Sequence, residues 1–200
     1  DPKGKVESRI VIAWLWARTV ASPNPAAKNV HVPLVSSFWL STKPGKETWV
    51  HPVVKQGEAP AWNFEIREGK TEDKAAVTAG TKTGRGANFR CIISDSPIEP
   101  DYIKAEGVAH RMGTRLMAIV CEGKRGRIYL PPTNESESIA ASAKPEWTPD
   151  APLPNDPRNF WTLSYGLTTY GDLFTPRQLV SLGTFVSLVN EARALIPHIS

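Results

Sequence analysis

Apolar runs separated by Pro, Gly and Asn turns dominate the first part of the chain. The segment RIVIAWLWARTV (9–20) is rich in Ile, Val and Trp and ends at a Pro-Asn-Pro turn (23–25), which is typical of a long buried strand. The apolar pattern resumes in VHVPLVSSFWLS (30–41). The two segments therefore predict a hairpin whose tip is the turn.

Three shorter segments also predict strands. TWVHPVV (48–54) is limited by Pro52, AWNFEIREG (61–69) alternates apolar and polar positions, and FRCIIS (89–94) is brief. Residues 70–88 are polar and Gly-rich, which predicts a loop with one helical turn in its middle.

The clearest hairpin signal lies further along the chain. RLMAIVCEG (115–123) and GRIYLPP (126–132) flank a basic turn, so Lys124, Arg125 and Arg127 should cluster at the tip. Before it, SPIEPDYI (96–103) is a Pro-interrupted connection, and KAEGVAHRMGT (104–114) contains two glycines that argue against a long regular helix.

The C-terminal third predicts two helices joined by an extended connection. TNESESIAASA (133–143) fits a short helix with a Thr N-cap, and the five prolines of residues 145–157 demand an extended chain. Thr175 and Pro176 start a predicted amphipathic helix over residues 175–196. Its apolar positions at spacings of three and four are Leu179, Leu182, Val186 and Val189.

These elements predict an α+β fold of antiparallel β-hairpins with a C-terminal amphipathic helix. We expect a β-rich domain over residues 1–144, a Pro-rich connection over 145–157, and a helical segment over 158–200 packed on that domain. The 200 residues suffice for one substantial core or two small ones.

Composition narrows the class of protein. No window approaches 18 uninterrupted apolar residues, and the polar start lacks Met and a signal-peptide apolar region, so we expect a cytoplasmic chain, excised from a longer protein, that does not enter a membrane. Cys91 and Cys121 could pair, but a chain with its own core needs no disulfide, so free thiols are expected.

The net charge of +4 is concentrated in one segment. Between Lys82 and Arg127 nine basic residues face five acidic ones, an excess that could attract a polyanion, although a solvated basic surface without a partner fits equally well. The candidates for contact with DNA phosphates are Lys82, Arg85, Arg90, Arg111, Arg115, Lys124, Arg125 and Arg127.

Catalytic motifs are missing from the sequence. It has no Walker phosphate loop, G-x-S-x-G elbow or H-E-x-x-H, so we assign no catalytic residue. The histidines are scattered at His31, His51, His110 and His198, and an independent hydrolase would need a site in which the fold clusters a Cys, a His and an Asp.

Two further features are compatible with either a ligand contact or a structural role. TGRGANFR (83–90) could clamp a phosphate or be a plain flexible loop. Tyr102 or Tyr129 could stack on an extruded base, although core packing is favoured for both.

Six segments together carry a family resemblance. They are IAWLWARTV with the following Pro-Asn-Pro turn, PLVSSFWLS, GTKTGRGANFRC, YIKAEGVAHRMGTRLMAIV, GRIYLPPT and LPNDPRNFWTLSYGLTTYGDLFTPRQL. They resemble the central region of the large, anti-phage-associated DNA methylases described as adenine-specific and containing a zinc ribbon. The resemblance covers nearly the whole chain, from about Ile10 to Ala194.

The resemblance implies an insert in a methyltransferase. In the family this region looks like an insertion between the cofactor-binding motif and the catalytic D-P-P-Y motif, and neither motif occurs here. The segment alone should bind no cofactor and transfer no methyl group, whereas the full-length protein would use S-adenosylmethionine. The implied partners are double-stranded DNA and the rest of the methyltransferase chain.

The resemblance also implies a zinc ribbon that has lost its metal. Family cysteines correspond to Ser22 and Ala27 in the Pro-Asn-Pro turn, and a C-x-x-C knuckle corresponds to Cys91 and Ser94. One thiol of four cannot hold structural zinc, so no metal is expected, with His31 as a replacement ligand the alternative.

Aromatic burial should then replace the metal in holding the ribbon hairpins together. The residues expected to supply it are Trp14, Trp16, Phe38 and Trp39, together with the strands around Phe89.

The leading hypothesis is a DNA-contacting or target-recognition insert of an S-adenosylmethionine-dependent DNA methyltransferase. The alternative is a structural brace or protein-docking module of a defence-system methylase that makes no contact with DNA.

Overall fold

A computed structural model describes residues 8–27, 29–55, 57, 60–156 and 161–196. The chain divides into two compact units, Asp1–Thr133 and Asn134–Ser200. Strands and helices are both present and the strands pair antiparallel, which confirms the α+β class. The predicted division at residues 144 and 157 stays a prediction, and both Pro157 and His198 lie outside the described residues.

In the first unit, the described residues form nine strands and two α-helices. In chain order they are β1 (Val11–Ala21), β2 (His31–Leu34), β3 (Trp39–Ser41), β4 (Thr48–Lys55), β5 (Ala61–Glu68), α1 (Lys74–Ala79), β6 (Phe89–Arg90), β7 (Pro97–Ile98), α2 (Pro100–Val108), β8 (Gly113–Gly123) and β9 (Gly126–Leu130). Sheet A has the order β2-β1-β8-β9, sheet B the order β3-β4-β5, and β6 pairs with β7.

Sheet A contains both hairpins that the sequence predicts. β1 pairs antiparallel with β2 across the Pro-Asn-Pro turn, and β8 pairs with β9 through a two-residue loop between Gly123 and Gly126. The centre of the sheet is the pairing of β1 with β8, which joins residues about a hundred positions apart and has no local sequence signal.

The prediction of one strand over residues 30–41 is wrong. β2 ends at Leu34, and after four residues the chain enters sheet B as β3. The cause is Thr81, which forms hydrogen bonds with both the backbone N–H and the backbone carbonyl of Val35. The Val35 N–H donates to Thr81 Oγ1 at 2.9 Å, and the Val35 carbonyl accepts from the Thr81 N–H at 2.7 Å.

Pro52 does not limit β4 as predicted. The strand continues to Lys55 and stays paired with β5 along its whole length. Proline is tolerated because β3 pairs with β4 only near Thr48 and Trp49, so Pro52 lies on a strand edge where a missing N–H disrupts no ladder in the described sheet.

The main core lies between sheets A and B. Sheet B contributes the buried ring of Trp62, whose Nε1 donates to the His31 carbonyl of β2 at 2.7 Å, and Phe64 meets that ring edge-on at 4.8 Å. The buried members of this core are Ala17, Val35, Phe38, Trp49, Val50, Trp62, Phe64, Val77, Met117 and Ala118.

Of the aromatics expected to replace zinc, Phe38 is buried, and Trp16 and Trp39 are partly buried. The expectation is wrong for Trp14, whose side chain is 51% exposed. The reason is the alternation of β1, which directs Ile12 and Trp14 away from the core while their neighbours are partly buried.

Helix α2 begins where the sequence suggested an interrupted connection. Pro100 occupies the first turn, where its missing N–H would have no helical partner in any case. The helix ends at Val108, next to His110 with a φ of 53°. Its nine residues agree with the prediction that no long helix forms here.

The second unit contains α3 (Asn134–Ala141) and α4 (Pro176–Leu195). Thr175 and Gln178 form a capping box, which confirms the predicted start of the last helix. Within α4, Leu179 is buried, whereas the other three residues of the predicted apolar stripe, Leu182, Val186 and Val189, are 47% to 66% exposed. The apolar residues of α4 are distributed around the whole helix instead of forming one stripe, so the sequence does not define a single face to be buried.

In the part of the chain that the structure describes, no helix combines the length and apolar character needed to cross a membrane.

Substitution of Gly80 by Ala should destabilise the first unit by about 2 to 4 kcal/mol. Gly80 has a φ of 60°, and an added Cβ would press on the Val35 carbonyl oxygen and lie 2.8 Å from the Ser37 nitrogen. Gly45→Ala is the matched control, because Gly45 has a φ of 74° but nothing within 4 Å of the added Cβ, so it should cost about 1 kcal/mol. Urea denaturation measures both. Equal losses would contradict the role assigned to the close approach at Val35.

Candidate nucleic-acid interface

An open cleft separates the β3–β4 turn from the tip of the β8–β9 hairpin. The Lys46 ammonium group donates to the Arg125 carbonyl at 2.8 Å, which ties the two turns together across 79 positions of sequence. The described residues lining the cleft are Arg9, Ser41, Lys43, Gly45, Lys46, Glu47, Thr48, Glu68, Gly69, Gly123, Lys124, Arg125, Gly126, Arg127, Ile128 and Tyr129.

The hairpin tip is tight because of its glycines. Gly126 has a φ of 130°, which is accessible to glycine, and a Cβ on Gly123 would lie 2.7 Å from the Gly126 carbonyl oxygen. The two residues between them, Lys124 and Arg125, are thereby placed at the end of the hairpin. Both side chains are exposed, so their charges face solvent at the cleft.

The electrostatic character of the cleft is cationic. Its lining contains six basic side chains, those of Arg9, Lys43, Lys46, Lys124, Arg125 and Arg127, against two acidic ones, those of Glu47 and Glu68. Clefts lined by one sign of charge focus the field and concentrate oppositely charged ligands. The arrangement can therefore bind a polyanion through several simultaneous contacts.

The structure brings together three of the eight residues predicted to contact DNA. Lys124, Arg125 and Arg127 line the cleft, as their position at one hairpin tip implies. Lys43 and Lys46 were not predicted from the sequence, because the β3–β4 turn carries no signal that it contacts a hairpin 79 residues further along. The Lys-Pro-Gly-Lys composition of that turn, residues 43–46, was the available clue.

Two of the remaining candidates are arginines bound to acidic side chains elsewhere. Arg111 holds the buried Glu106 through two hydrogen bonds of 2.6 and 3.2 Å, which raise the pKa of the guanidinium. Arg90 lies 3.3 Å from Asp95 in an exposed ion pair, which contributes little to stability.

The other three candidates also lie away from the cleft lining. Arg115 packs over the Trp62 ring with its guanidinium carbon 4.9 Å from the ring centroid. Lys82 forms an isolated bridge with Phe89, and Arg85 lies in the loop between them. The TGRGANFR loop contributes no residue to the cleft.

Both tyrosines considered for base stacking have structural contacts. The Tyr102 hydroxyl donates to the Ala21 carbonyl at 3.1 Å, and burial raises its pKa. The Tyr129 hydroxyl donates to the Leu40 carbonyl at 2.9 Å. This bond links β9 of sheet A to β3 of sheet B. Each tyrosine hydroxyl is thus hydrogen-bonded to a main-chain carbonyl, as expected for a tyrosine that has a packing role.

The two turns that the family resemblance assigns to zinc lie side by side. Ser22 Oγ is 3.3 Å from Cys91 Sγ, although 69 residues separate them in sequence, and both side chains are buried. Ser94 also contacts Cys91, through its side chain and its backbone N–H. Ala27 is buried in the short 3₁₀ helix Pro25–Ala27 that closes the first turn.

The donor set in this place does not fit zinc. Structural zinc requires four Cys or His ligands, and these positions offer one thiol, two hydroxyls and a methyl group. Throughout the described residues, no group of three or more His, Cys, Asp or Glu side chains is arranged to hold a metal ion. His31 instead lies 3.1 Å from Thr19 through its Nδ1 atom.

The Cys91 thiol is surrounded by hydrogen-bonding groups. Burial raises the pKa of this thiol, but hydrogen bonds from Ser22, Ser94 and the Ile93 backbone outweigh that effect, and the net pKa is lowered. Bonds of this kind satisfy the buried sulfur and hold the two turns together.

No family model matches the chain, and neither a curated protein nor a solved structure matches it.

Replacement of Ser22, Ala27 and Ser94 together by Cys should create a site that binds zinc in a 1:1 ratio. Two sulfurs on a tetrahedral zinc ion are about 3.8 Å apart, close to the 3.3 Å that separates Ser22 Oγ from Cys91 Sγ. Cobalt titration should give the absorption of a tetrahedral tetrathiolate complex, and zinc should raise the unfolding temperature.

The matched control for that site is the double variant Ser22→Cys with Ser94→Cys, which retains Ala27. With three thiols it should bind cobalt more weakly and without the tetrathiolate spectrum. The same weak binding by the triple variant would contradict the pairing of the two turns.

Proposed function

We propose that the cleft binds the phosphate backbone of double-stranded DNA, and that the chain is the DNA-contacting insert of an S-adenosylmethionine-dependent DNA methyltransferase. The observation that carries this proposal is the set of six basic side chains against two acidic ones in a cleft formed by two tight turns. Lys and Arg contacts to phosphates supply most of the sequence-independent affinity for DNA.

The lining of the cleft favours a duplex over a single strand. Proteins that hold single strands combine a basic groove with aromatic rings on which bases stack. Among the described lining residues Tyr129 is the one aromatic, and its hydroxyl is bound to the Leu40 carbonyl. Contacts to phosphates without a stacking platform suit a ligand whose bases remain paired.

The place in a methyltransferase rests on the family resemblance. A base-flipping methyltransferase must hold the duplex while the target base leaves the stack, and phosphate contacts fix the register of the protein on the DNA. In this proposal the chain supplies those contacts, and the cofactor site and catalytic tetrapeptide belong to other parts of the full-length protein.

The alternative is that the chain acts as a brace or docking module without contact to DNA. Three arginines that were candidates for contact with DNA favour this alternative, because each has a partner within the protein. Arg90 pairs with Asp95, Arg111 pairs with Glu106, and Arg115 packs over the Trp62 ring. The cleft residues decide between the two functions.

Fluorescence anisotropy with a labelled duplex tests the proposal across a salt series. The chain should bind at micromolar concentration in low salt, with an affinity that falls steeply as salt rises. Lys43→Glu and Lys124→Glu should each weaken binding about tenfold and lower the salt slope by about 1.

The matched control is Lys55→Glu, which makes the same charge change at the far end of β4, about 23 Å along the strand from Thr48. It should leave the affinity within about twofold of wild type, since a distant exposed charge is screened by salt. Equal effects of all three variants would show a non-specific charge effect. Failure of the wild type to bind in low salt would favour the brace.

A further inference from the structure

Strand β1 is covered by β2 along only part of one edge. β2 pairs with Arg18–Ala21, and among the described residues no strand pairs with the same edge between Val11 and Leu15. The edge is left open because the hydrogen bonds between Thr81 and Val35 end β2, and the chain then continues into sheet B.

This open edge lacks most of the usual protection. Natural edge strands carry charged side chains, prolines or bulges that prevent pairing with another chain. The eight residues of positions 10–17, Ile-Val-Ile-Ala-Trp-Leu-Trp-Ala, include no charge and no proline. One bulge lies between Val11 and Ala13 and a second irregularity lies between Leu15 and Trp16, and the pairing with β8 is regular between them, from Ala13 to Leu15.

The exposed side chains on this edge are large and apolar. Ile12 and Trp14 are each 51% exposed, and Ile10 is 70% exposed. β-Branched and aromatic residues are the types that stabilise cross-strand pairs. Unpaired backbone groups beside exposed Ile and Trp side chains are suited to an added strand of apolar sequence.

We propose that this edge pairs antiparallel with the same edge of a second copy of the chain, about a two-fold axis at Ala13. In that register Ile12 of each copy faces Trp14 of the other, and Val11 faces Leu15. Every facing pair over the five residues is apolar, and the small Ala13 lies on the axis. The edge is therefore complementary to itself, as a two-fold interface requires.

The flanking charges support this register. Pairing about Ala13 aligns Arg18 with Ser8 of the second copy and Arg9 with Ala17, so no like charges face each other. A shift by one residue toward the C-terminus would align Arg9 with Arg18 at both ends, and a shift by one residue in either direction would pair side chains that belong to opposite faces of the sheet. β2 occupies the edge from Arg18 onward and confines the new ladder to the preceding residues.

Sedimentation equilibrium of the whole chain, from about 2 to about 200 µM, tests the proposal. The mass should rise from 22.0 kDa toward twice that value. The double variant Ile12→Lys with Trp14→Lys should remain monomeric, because each new ammonium group then faces another. The double variant Ile12→Glu with Trp14→Lys should dimerise, because opposite charges face each other in the same register.

Val108→Lys is the matched control, since it places a charge at an apolar residue of α2 that is 57% exposed, and it should dimerise as the wild type does. Hydrogen exchange of the Val11–Leu15 amides should slow with rising concentration of the wild-type chain, a result that needs no folded variant. A wild type that stays monomeric would overturn the proposal. So would equal behaviour of the two double variants, or amide exchange that does not change with concentration.

Discussion

The hydrogen bonds between Thr81 and the chain at Pro33 and Val35 determine the layout of the first unit. The Thr81 hydroxyl accepts from the Val35 N–H and lies 3.0 Å from the Pro33 carbonyl, its acceptor. Both residues are buried, so loss of these bonds would leave polar groups unsatisfied at a cost of about 1 to 3 kcal/mol each. Because the chain turns here, sheets A and B can enclose one core, and the β3–β4 turn can reach the β8–β9 hairpin.

Local signals in the sequence identify the elements whose causes are local. The β8–β9 hairpin follows from its flanking apolar runs and basic turn, and the start of α4 follows from Thr175 and Pro176. The turn at Val35 depends on a threonine 46 positions away inside a polar, Gly-rich segment, which nothing nearby in the sequence reveals. The continuation of β4 through Pro52 likewise depends on how little of that strand β3 covers.

The cleft and the paired turns differ in how far the sequence anticipates them. Three cleft residues, Lys124, Arg125 and Arg127, are close together in sequence and predictable as a cluster, whereas Lys43 and Lys46 join them through the tertiary structure. The contact of Ser22 with Cys91 joins two turns that only the family resemblance connects. Composition cannot reveal it, because a serine and a cysteine in separate turns have no local signature.

The pairing of β1 with β8 has a consequence for synthesis of the chain on the ribosome. Trp14 pairs with Ile119, so 105 residues must be added after Trp14 before its partner exists. At about 5 to 20 residues per second this delay lasts about 5 to 20 s. During it the nascent chain carries an apolar strand without its β8 partner, and exposed apolar strands of this kind are prone to aggregation. The order in which the strands emerge thus makes the time before β8 is synthesised the stage at which this chain is most exposed to aggregation.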